Sequence, residues 1–280
     1  MKKAPIFLSV GIALYLFFAD RGFRQLPGFK GVFYRLYHHA PGKRGVISLT
    51  TVHAIPISID LRDDIIATAL IEYGQWEPSL TKFMCRVVKP GMTVIDIGAH
   101  VGYYTTLFAK LVGNEGTVIS FEPEPYNFSL LAHNAGALSN CTLINKGVSD
   151  VAGPATLYLA EGNLGAHSMR SATSMSTPIE TVRLDEYLKD TPVHVIKMDV
   201  EGNEPFALKS MRALLAQPTV VLIFEYIPGY VAAPEEMFTQ LSQANFTLYE
   251  ITHDTGDLVL LPTIPTEQRV FNILCTKEPL

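Results

Sequence analysis

Cysteine is scarce in this chain, which has three among its 280 residues: Cys85, Cys141 and Cys275. They are too few and too widely spaced for a disulfide framework or a structural zinc site. Histidines such as His53 and His194 also lack the short spacing of metal ligands. We therefore predict no metal site from these residue types, and a reducing compartment is compatible with this cysteine usage.

An excess of basic residues is also absent. The chain has 22 Lys and Arg against 27 Asp and Glu, which gives a net charge of −5. Proteins that bind nucleic acid usually carry a basic patch or stripe. We therefore expect no nucleic-acid partner, and a small-molecule, glycan or lipid acceptor fits this composition better.

The chain has no long hydrophobic run of the length that crosses a bilayer. Its longest uncharged apolar stretch, residues 4–19, follows Lys2-Lys3 and would span about 24 Å as a helix, short of the ~30 Å hydrocarbon core. Three interpretations stay open: a lead helix packed on the domain, a marginal membrane anchor, or a cleaved signal. We expect a cytoplasmic protein, with membrane association through residues 4–19 as the open alternative.

Nucleotide and hydrolase motifs are missing as well. No G-x-S-x-G nucleophile elbow occurs, and the one glycine turn after an apolar run reads Gly98-Ala99-His100-Val101-Gly102. A dinucleotide fingerprint needs a third glycine to cradle the pyrophosphate. Asp96, just ahead of the turn, would repel a pyrophosphate but suits a ligand with an ammonium group, and it is placed to accept from the turn amides.

Apolar runs and amphipathic segments alternate from residue 93 onwards. Such alternation predicts a doubly wound α/β domain with a mostly parallel seven-stranded sheet. The predicted strands are 93–97, 117–121, 141–145, 193–198, 219–225, 247–251 and 269–276. The predicted helices are 103–112, 125–138, 184–189, 205–215 and 234–244. We assign residues 1–60 to a hydrophobic and aromatic lead segment and residues 61–280 to the α/β domain.

One long segment interrupts this alternation. Residues 155–160 read as a strand, and residues 161–177 form a loop rich in Gly, Ser, Thr and Met. Loops of that length without a period are usually functional or mobile. His167, Ser168 and Arg170 lie in this loop and are candidates to enter a site, although a solvated loop histidine is the simpler interpretation of His167.

Glu122 ends the second predicted strand, at the sheet edge where open α/β proteins bind ligands. Its distance from Gly102 favours a carboxylate that accepts ribose hydroxyls, against a helix-capping acid. Ser149 and Asp150 follow the third strand, where they either bind an adenine amino group or form an ordinary turn.

A second polar group ends the strand at 193–198. Lys197, Asp199 and Glu201 lie on one face by strand alternation, so a Lys–carboxylate contact is expected. For Asp199 three roles stay open: accepting a proton from a substrate hydroxyl, holding a divalent cation, or orienting the substrate. Glu225 ends the next strand at the same edge and faces the same space.

Together these motifs resemble the FkbM-type family of class I S-adenosylmethionine-dependent methyltransferases. The resemblance is carried by the motifs at 76–78, 94–104, 121–128, Asn134, 147–150, 184–185 and 196–204. It implies a Rossmann-like fold and transfer of a methyl group from S-adenosylmethionine, most often to a hydroxyl oxygen. His100 departs from the family pattern, where Asn is common, and Trp76 stands where Tyr is common.

The resemblance also assigns roles to residues. It implies that the cofactor is bound by Asp96, Gly98, Ala99, His100, Gly102, Tyr103, Glu122, Pro123, Ser149 and Asp150. It implies that Lys197, Asp199 and Glu201 lie at the transfer site. Two other hypotheses remain, a nicotinamide-dependent oxidoreductase and a non-catalytic module that retains the fold.

Overall fold

The computed structural model describes residues 11–12, 14–15, 17–18, 45–160, 163–170, 173–189, 191–231 and 233–278. The chain divides into two compact units. The first comprises Met1–Trp76 with Glu161–Gly165, and the second comprises Glu77–Ala160 with Ala166–Leu280. The boundary predicted between residues 60 and 61 stays a prediction.

The apolar segment at residues 4–19 lies largely outside the described residues, and those described between 11 and 18 are helical. Among the helices that the structure describes, none combines the length and apolar character needed to span a bilayer. The three interpretations of this segment therefore stay open.

The first unit contains a hairpin and a helix. Strands β1 (Val46–Thr50) and β2 (Pro56–Asp60) pair antiparallel. Helix α1 (Asp64–Tyr73) follows, and the side chain of Asp63 caps it by accepting from the amide of Ile66. Such a cap satisfies one of the amides that a helix start leaves unpaired.

An eight-stranded sheet forms the centre of the second unit, with the order β12-β11-β13-β10-β9-β3-β4-β5. Its strands are β3 (Thr93–Ile97), β4 (Thr117–Phe121), β5 (Cys141–Ile144), β9 (Val195–Met198), β10 (Val221–Tyr226), β11 (Thr247–Ile251), β12 (Leu258–Leu260) and β13 (Phe271–Thr276). The five strands from β10 to β5 are parallel, and β13, β11 and β12 add antiparallel pairs. The sheet is mostly parallel, as predicted, but the predicted number of seven strands was wrong. The short edge strand β12 pairs with β11 after a tight turn.

Helices precede or connect the strands of this sheet. They are α2 (Pro78–Val87), α3 (Tyr103–Val112), α4 (Pro125–Ala135), α5 (Leu184–Leu188), α6 (Glu204–Lys209), α7 (Arg212–Ala216) and α8 (Pro234–Gln243). The single helix predicted at 205–215 was wrong, because the chain breaks between α6 and α7. The carboxylate of Asp185 accepts from the amides of Ala213 and Leu214, which starts a new helix there.

A smaller sheet is inserted between β5 and β9. It has the order β6-β8-β7, with β6 (Gly147–Val148), β7 (Gly153–Tyr158) and β8 (Ser176–Val182). Strand β8 was not predicted, and it takes the last two residues of the predicted loop 161–177. Its Pro178 and Glu180 are poor strand formers, so pairing with β7 over six residues decides its conformation.

The inner parallel strands are buried on both faces, as their continuous apolar sequences predict, whereas Thr142 of the edge strand β5 is exposed. Ile95, Ile196 and Leu222 are fully buried at the centre of three neighbouring strands. The charged residues Asp96, Lys197 and Glu225 of β3, β9 and β10 lie towards the carboxyl ends of these strands, where the candidate site lies.

Candidate active site

Asp96 is buried at the carboxyl end of β3. It lies in register with Lys197 on β9 and Ser120 on β4, so all three side chains project from the same face. Its Oδ2 accepts from the Thr105 hydroxyl at 2.7 Å, whereas its Oδ1 is buried without a hydrogen-bond partner among the described residues. The expected bonds to the glycine-turn amides were wrong, because the first turn of α3 supplies the donor instead.

Burial raises the pKa of Asp96, and the ammonium group of Lys197 acts against that shift. Burial of a carboxylate oxygen without a hydrogen-bond donor lowers the stability of the folded protein. Asp96 is therefore suited to a ligand that brings a donor or a positive charge.

The glycine turn connects β3 to α3 through left-handed conformations. Gly98 has a φ of 78°, and a Cβ there would overlap the carbonyl oxygen of Asp199. Gly102 has a φ of 90° at the start of α3, where a Cβ would lie 2.7 Å from Leu131. Close packing of the turn on β9 and α4 thus requires both glycines. Ala99 is buried between them.

Glu122 reaches back from the end of β4 to this turn. Its carboxylate accepts from the amide of His100 at 2.8 Å and from the amide of Glu124 at 2.9 Å. Burial raises the pKa of Glu122 to about 7, although His100 and both amides act against the shift. The helix-capping role falls to Glu124, whose side chain accepts from the amide of Asn127. Glu122 is thus left to present its remaining lone pairs to a ligand.

The remaining predicted cofactor contacts border the same edge. The Ser149 hydroxyl lies 3.3 Å from the carboxylate of Asp150, directly after β6. The carbonyl of Pro123 accepts from the side chain of Asn145 at 3.2 Å. Tyr103 is buried, and its hydroxyl lies 3.3 Å from that of Thr81.

Lys197 forms an ion pair with Asp199, as the strand alternation predicts. The ammonium group lies 3.3 Å from Oδ2 of Asp199 and 5.2 Å from the ring centroid of Tyr104. Burial alone would lower the pKa of Lys197, but the charges of Asp199, Asp96 and Glu77 outweigh it and raise that pKa. Lys197 is therefore a permanent cation among carboxylates.

Glu77 joins this group from a distant part of the sequence. Its carboxylate accepts from the Tyr104 hydroxyl at 3.1 Å and from Nδ2 of Asn272 at 3.4 Å. Burial raises the pKa of Glu77, and so does the charge of Asp199. No role was predicted for Glu77 or Asn272. The signal available was a glutamate beside a proline at a helix start, but nothing in the sequence linked it to β9.

A cavity of about 10 Å³ lies within this group. That volume holds about one water molecule. Glu77, Lys197, Asp199, Glu225 and Asn272 line it.

Glu201 and Glu225 complete the edge beside Asp199. One carboxylate oxygen from each of the three residues lies within 4.8 Å of the others, a spacing that a divalent cation can also bridge. Burial and the charge of Asp199 raise the pKa of Glu201 to about 8 and that of Glu225 to about 9. The alternation argument for Glu201 was wrong, because β9 ends at Met198 and Glu201 has a left-handed φ of 50°.

Residues of the long loop bond to the segment after β9. The Ser168 hydroxyl donates to the carbonyl of Glu201, and Nε of Arg170 donates to the side chain of Asn203. His167 instead accepts from the amide of Ala160. Asn203 is fully buried, and it belongs to the motif at 196–204, but no role was predicted for it.

The site as built fits S-adenosylmethionine. The unbonded oxygen of Asp96 and the carboxylates around Lys197 suit the cationic methionine end. Glu122 lies at the carboxyl end of β4, and its binding to the ribose stays a prediction, as does the binding of the adenine by Ser149 and Asp150. An acidic rim of this kind would repel a pyrophosphate, which disfavours a nicotinamide dinucleotide.

The fold and the positions of these residues agree with the class I methyltransferase domain that the sequence motifs resemble. The family model of the methyltransferase FkbM domain matches residues 96–248. This match covers more than half of the 280 residues, so the chain belongs to the FkbM methyltransferase family.

Two curated relatives are methyltransferases. The hexuronic acid methyltransferase AglP of Haloferax volcanii is 28% identical over 162 residues, which cover 56% of this chain and 64% of that protein. Protein-L-isoaspartate O-methyltransferase 1 of Arabidopsis thaliana is 35% identical over 81 residues, which cover 29% of this chain and 28% of that protein. The chain thus spans less than two thirds of either relative.

A solved structure of a methyltransferase FkbM from Methylobacillus flagellatus is also similar. It is 16% identical with a TM-score of 0.44, and the match covers 76% of this chain and 55% of that one.

Proposed function

We propose that this methyltransferase acts on a hydroxyl oxygen of a polyhydroxylated acceptor, a sugar or a lipid-linked sugar. The observation that carries the proposal is the group formed by Asp199, Glu201 and Glu225, whose carboxylate oxygens lie within 4.8 Å of one another. The carboxylate of Asp199 accepts hydrogen bonds from hydroxyl groups, and the protonated carboxyl groups of Glu201 and Glu225 can both donate and accept them.

S-adenosylmethionine supplies a methyl group activated by its sulfonium. The residues of the chain bind and align the reactants: Asp96 and the glycine turn hold the methionine end, and Glu122 holds the ribose. Asp199 accepts the hydrogen bond of the acceptor hydroxyl and takes up its proton. Lys197 positions Asp199 and stabilises its charge.

The acidic character of the group favours a neutral acceptor over an anionic one. Burial and mutual repulsion keep protons on Glu201 and Glu225 near neutral pH, because their pKa values are raised to about 8 and about 9. A carboxylate acceptor would add another negative charge beside Asp199, at a cost in binding energy. A hydroxyl adds no charge and finds acceptors for its hydrogen bond.

The hexuronic acid methyltransferase of Haloferax volcanii supports a sugar acceptor. Its name leaves open whether the carboxyl or a hydroxyl group of the sugar is methylated, so the transfer experiment must separate the two. Membrane association through residues 4–19 would suit a lipid-linked acceptor and stays a prediction.

Binding of the cofactor is tested first, by isothermal titration with S-adenosylhomocysteine. We expect binding to the wild type and weaker binding to the Asp96→Asn variant, because Asp96 loses its charge while its shape is kept. Absence of binding to the wild type would contradict the functional assignment. Binding without turnover on any acceptor would favour the non-catalytic module.

Transfer is then measured with radiolabelled S-adenosylmethionine, using 4-nitrophenyl β-glucoside, 4-nitrophenyl β-glucuronide and a cell lipid extract as acceptors. Label that survives mild base is a methyl ether, whereas a methyl ester is hydrolysed. We expect base-stable label on a sugar hydroxyl. Label confined to a base-labile ester, or to protein in a whole extract, would overturn the hydroxyl-sugar proposal.

A further inference from the structure

The turn after β9 holds a residue in an unfavourable backbone conformation. Glu201 has a φ of 50° and Gly202 follows with a φ of 91°. A left-handed conformation is unfavourable for a residue with a side chain and persists only where the surroundings enforce it. Because this conformation belongs to the residue whose carboxylate lies beside Asp199 and Glu225, its cause is relevant to the site.

Ser168 provides one restraint. Its hydroxyl donates to the carbonyl oxygen of Glu201 at 2.6 Å, and the residue is only 1% exposed. Its own backbone is fixed by two hydrogen bonds with Tyr158, at 2.8 and 3.0 Å. The turn is thereby tied to strand β7 of the inserted sheet.

Asn203 provides the other restraint. It is fully buried, its Nδ2 donates to the carbonyl of Val148 at 2.8 Å, and its Oδ1 accepts from Nε of Arg170 at 2.9 Å. The guanidinium carbon of Arg170 lies 3.5 Å from the ring centroid of Phe206, and the amide of Arg170 donates to the Ser168 hydroxyl at 3.1 Å. Arg170 therefore links the two restraints, because its amide bonds to Ser168 and its guanidinium group bonds to Asn203.

We propose that Ser168 and Asn203 are positioning residues that hold Glu201 in its left-handed conformation and thereby fix its carboxylate beside Asp199 and Glu225. The inference rests on the proposed function, because it is the acceptor side of the site that the turn completes. It also gives the inserted sheet a role, since Ser168 bonds to β7 and Asn203 bonds to β6.

Hydrogen exchange tests the positioning without any acceptor. Exchange is measured at two amides of the turn. The amide of Gly202 donates to the side chain of Glu204, and the amide of Asn203 donates to the carbonyl of Val200. In Ser168→Ala and in Asn203→Ala, we expect exchange at these amides to rise about tenfold, the effect of losing one hydrogen bond. Ser168→Thr keeps the hydroxyl and should restore slow exchange.

Thr181→Ala is the matched control. The Thr181 hydroxyl donates to the carbonyl of Val151 at 2.7 Å in the same inserted sheet but does not bond to the turn. Unchanged exchange at Gly202 and Asn203 in Ser168→Ala would overturn the inference, and so would an equal rise in Thr181→Ala. If Ser168→Ala fails to fold, Asn203→Ala decides the same question.

Kinetics test the consequence for the site. With an acceptor that the wild type methylates, we expect Ser168→Ala to lower kcat about tenfold and to leave the KM for S-adenosylmethionine within about twofold. A normal kcat with faster exchange would overturn the functional part. If no acceptor is methylated, the proposed function fails, but the exchange result still decides whether Ser168 and Asn203 hold the turn.

Discussion

The ammonium group of Lys197 lies 3.3 Å from the carboxylate of Asp199, and both side chains extend from the end of one strand. Asp96 and Glu77 also act electrostatically on this ammonium group. One cation thus balances several carboxylates, and without it the like charges at this edge would repel one another.

Replacement of Lys197 by Met should destabilise the protein. Removing one partner of a buried ion pair costs about 3–5 kcal/mol, and we expect about 2–3 kcal/mol here because Asp199 is partly exposed. Urea unfolding measures the change. Lys209→Met is the control, since Lys209 is partly exposed and its partner Glu236 largely exposed, and this pair should contribute below about 1 kcal/mol. Equal losses in the two variants would contradict the central role of Lys197.

Binding of S-adenosylhomocysteine should depend on the ionisation of Glu122. Because the pKa of Glu122 is about 7, its carboxyl group is protonated and a weaker acceptor for ribose hydroxyls at lower pH. We expect affinity to fall as the pH drops below 7 and to level off above 8, as measured by titration calorimetry. In Glu122→Gln the affinity should be about tenfold lower and this dependence should be lost.

The neighbouring residue Glu124 offers a matched control for that experiment. It is also buried, but its carboxylate caps helix α4. Glu124→Gln should therefore keep both the affinity and its pH dependence. The ribose assignment of Glu122 fails if the two variants bind equally well.

Glu225 should make the ligand-free protein less stable in alkaline solution. Its pKa of about 9 lies above the ordinary value of 4.5, so the folded state binds the proton more tightly than the unfolded state does. The contribution of Glu225 to the free energy of unfolding is fully present below pH 4.5 and is lost as the pH rises towards 9. Glu225→Gln should flatten that loss and stabilise the protein at pH 9 by on the order of 2 kcal/mol.

Melting temperatures measured between pH 5 and pH 9 would check this expectation. The groups that act on Glu225 are Asp199, Glu77, Glu201 and Lys197, and they are retained in the variant. The exposed Glu180, whose pKa is lowered by Lys146, supplies the control Glu180→Gln. A parallel pH dependence in Glu225→Gln and the wild type would show that Glu225 does not carry the effect.

Gly98→Ala should destabilise the protein far more than Gly91→Ala. Gly98 and Gly91 have nearly equal left-handed φ values, 78° and 80°, but a Cβ at Gly91 meets nothing within 4 Å. Gly91→Ala should cost about 1–2 kcal/mol from backbone strain alone. Gly98→Ala adds overlap with the carbonyl of Asp199 and should cost more than about 3 kcal/mol. Similar losses in thermal unfolding would contradict this close approach.

Much of the fold was predictable, because buried parallel strands have continuous apolar sequences. Strands β3 and β4 and helix α3 have the predicted bounds, and the Lys197–Asp199 contact follows from strand alternation. Strand β8 was not predictable, because its polar sequence becomes a strand only by pairing with β7.

The sequence by itself determined the alternation of helices with the parallel strands of the central sheet, the carboxylates at the strand ends and the family to which the motifs belong. Those features are local, since a strand period and a turn depend on neighbours along the chain. Only the tertiary structure decided that Glu77 and Asn272, 195 residues apart, bond at one edge with Lys197 nearby. It also decided the left-handed conformation of Glu201, because contacts from Ser168 and Asn203 enforce a geometry that local preference opposes.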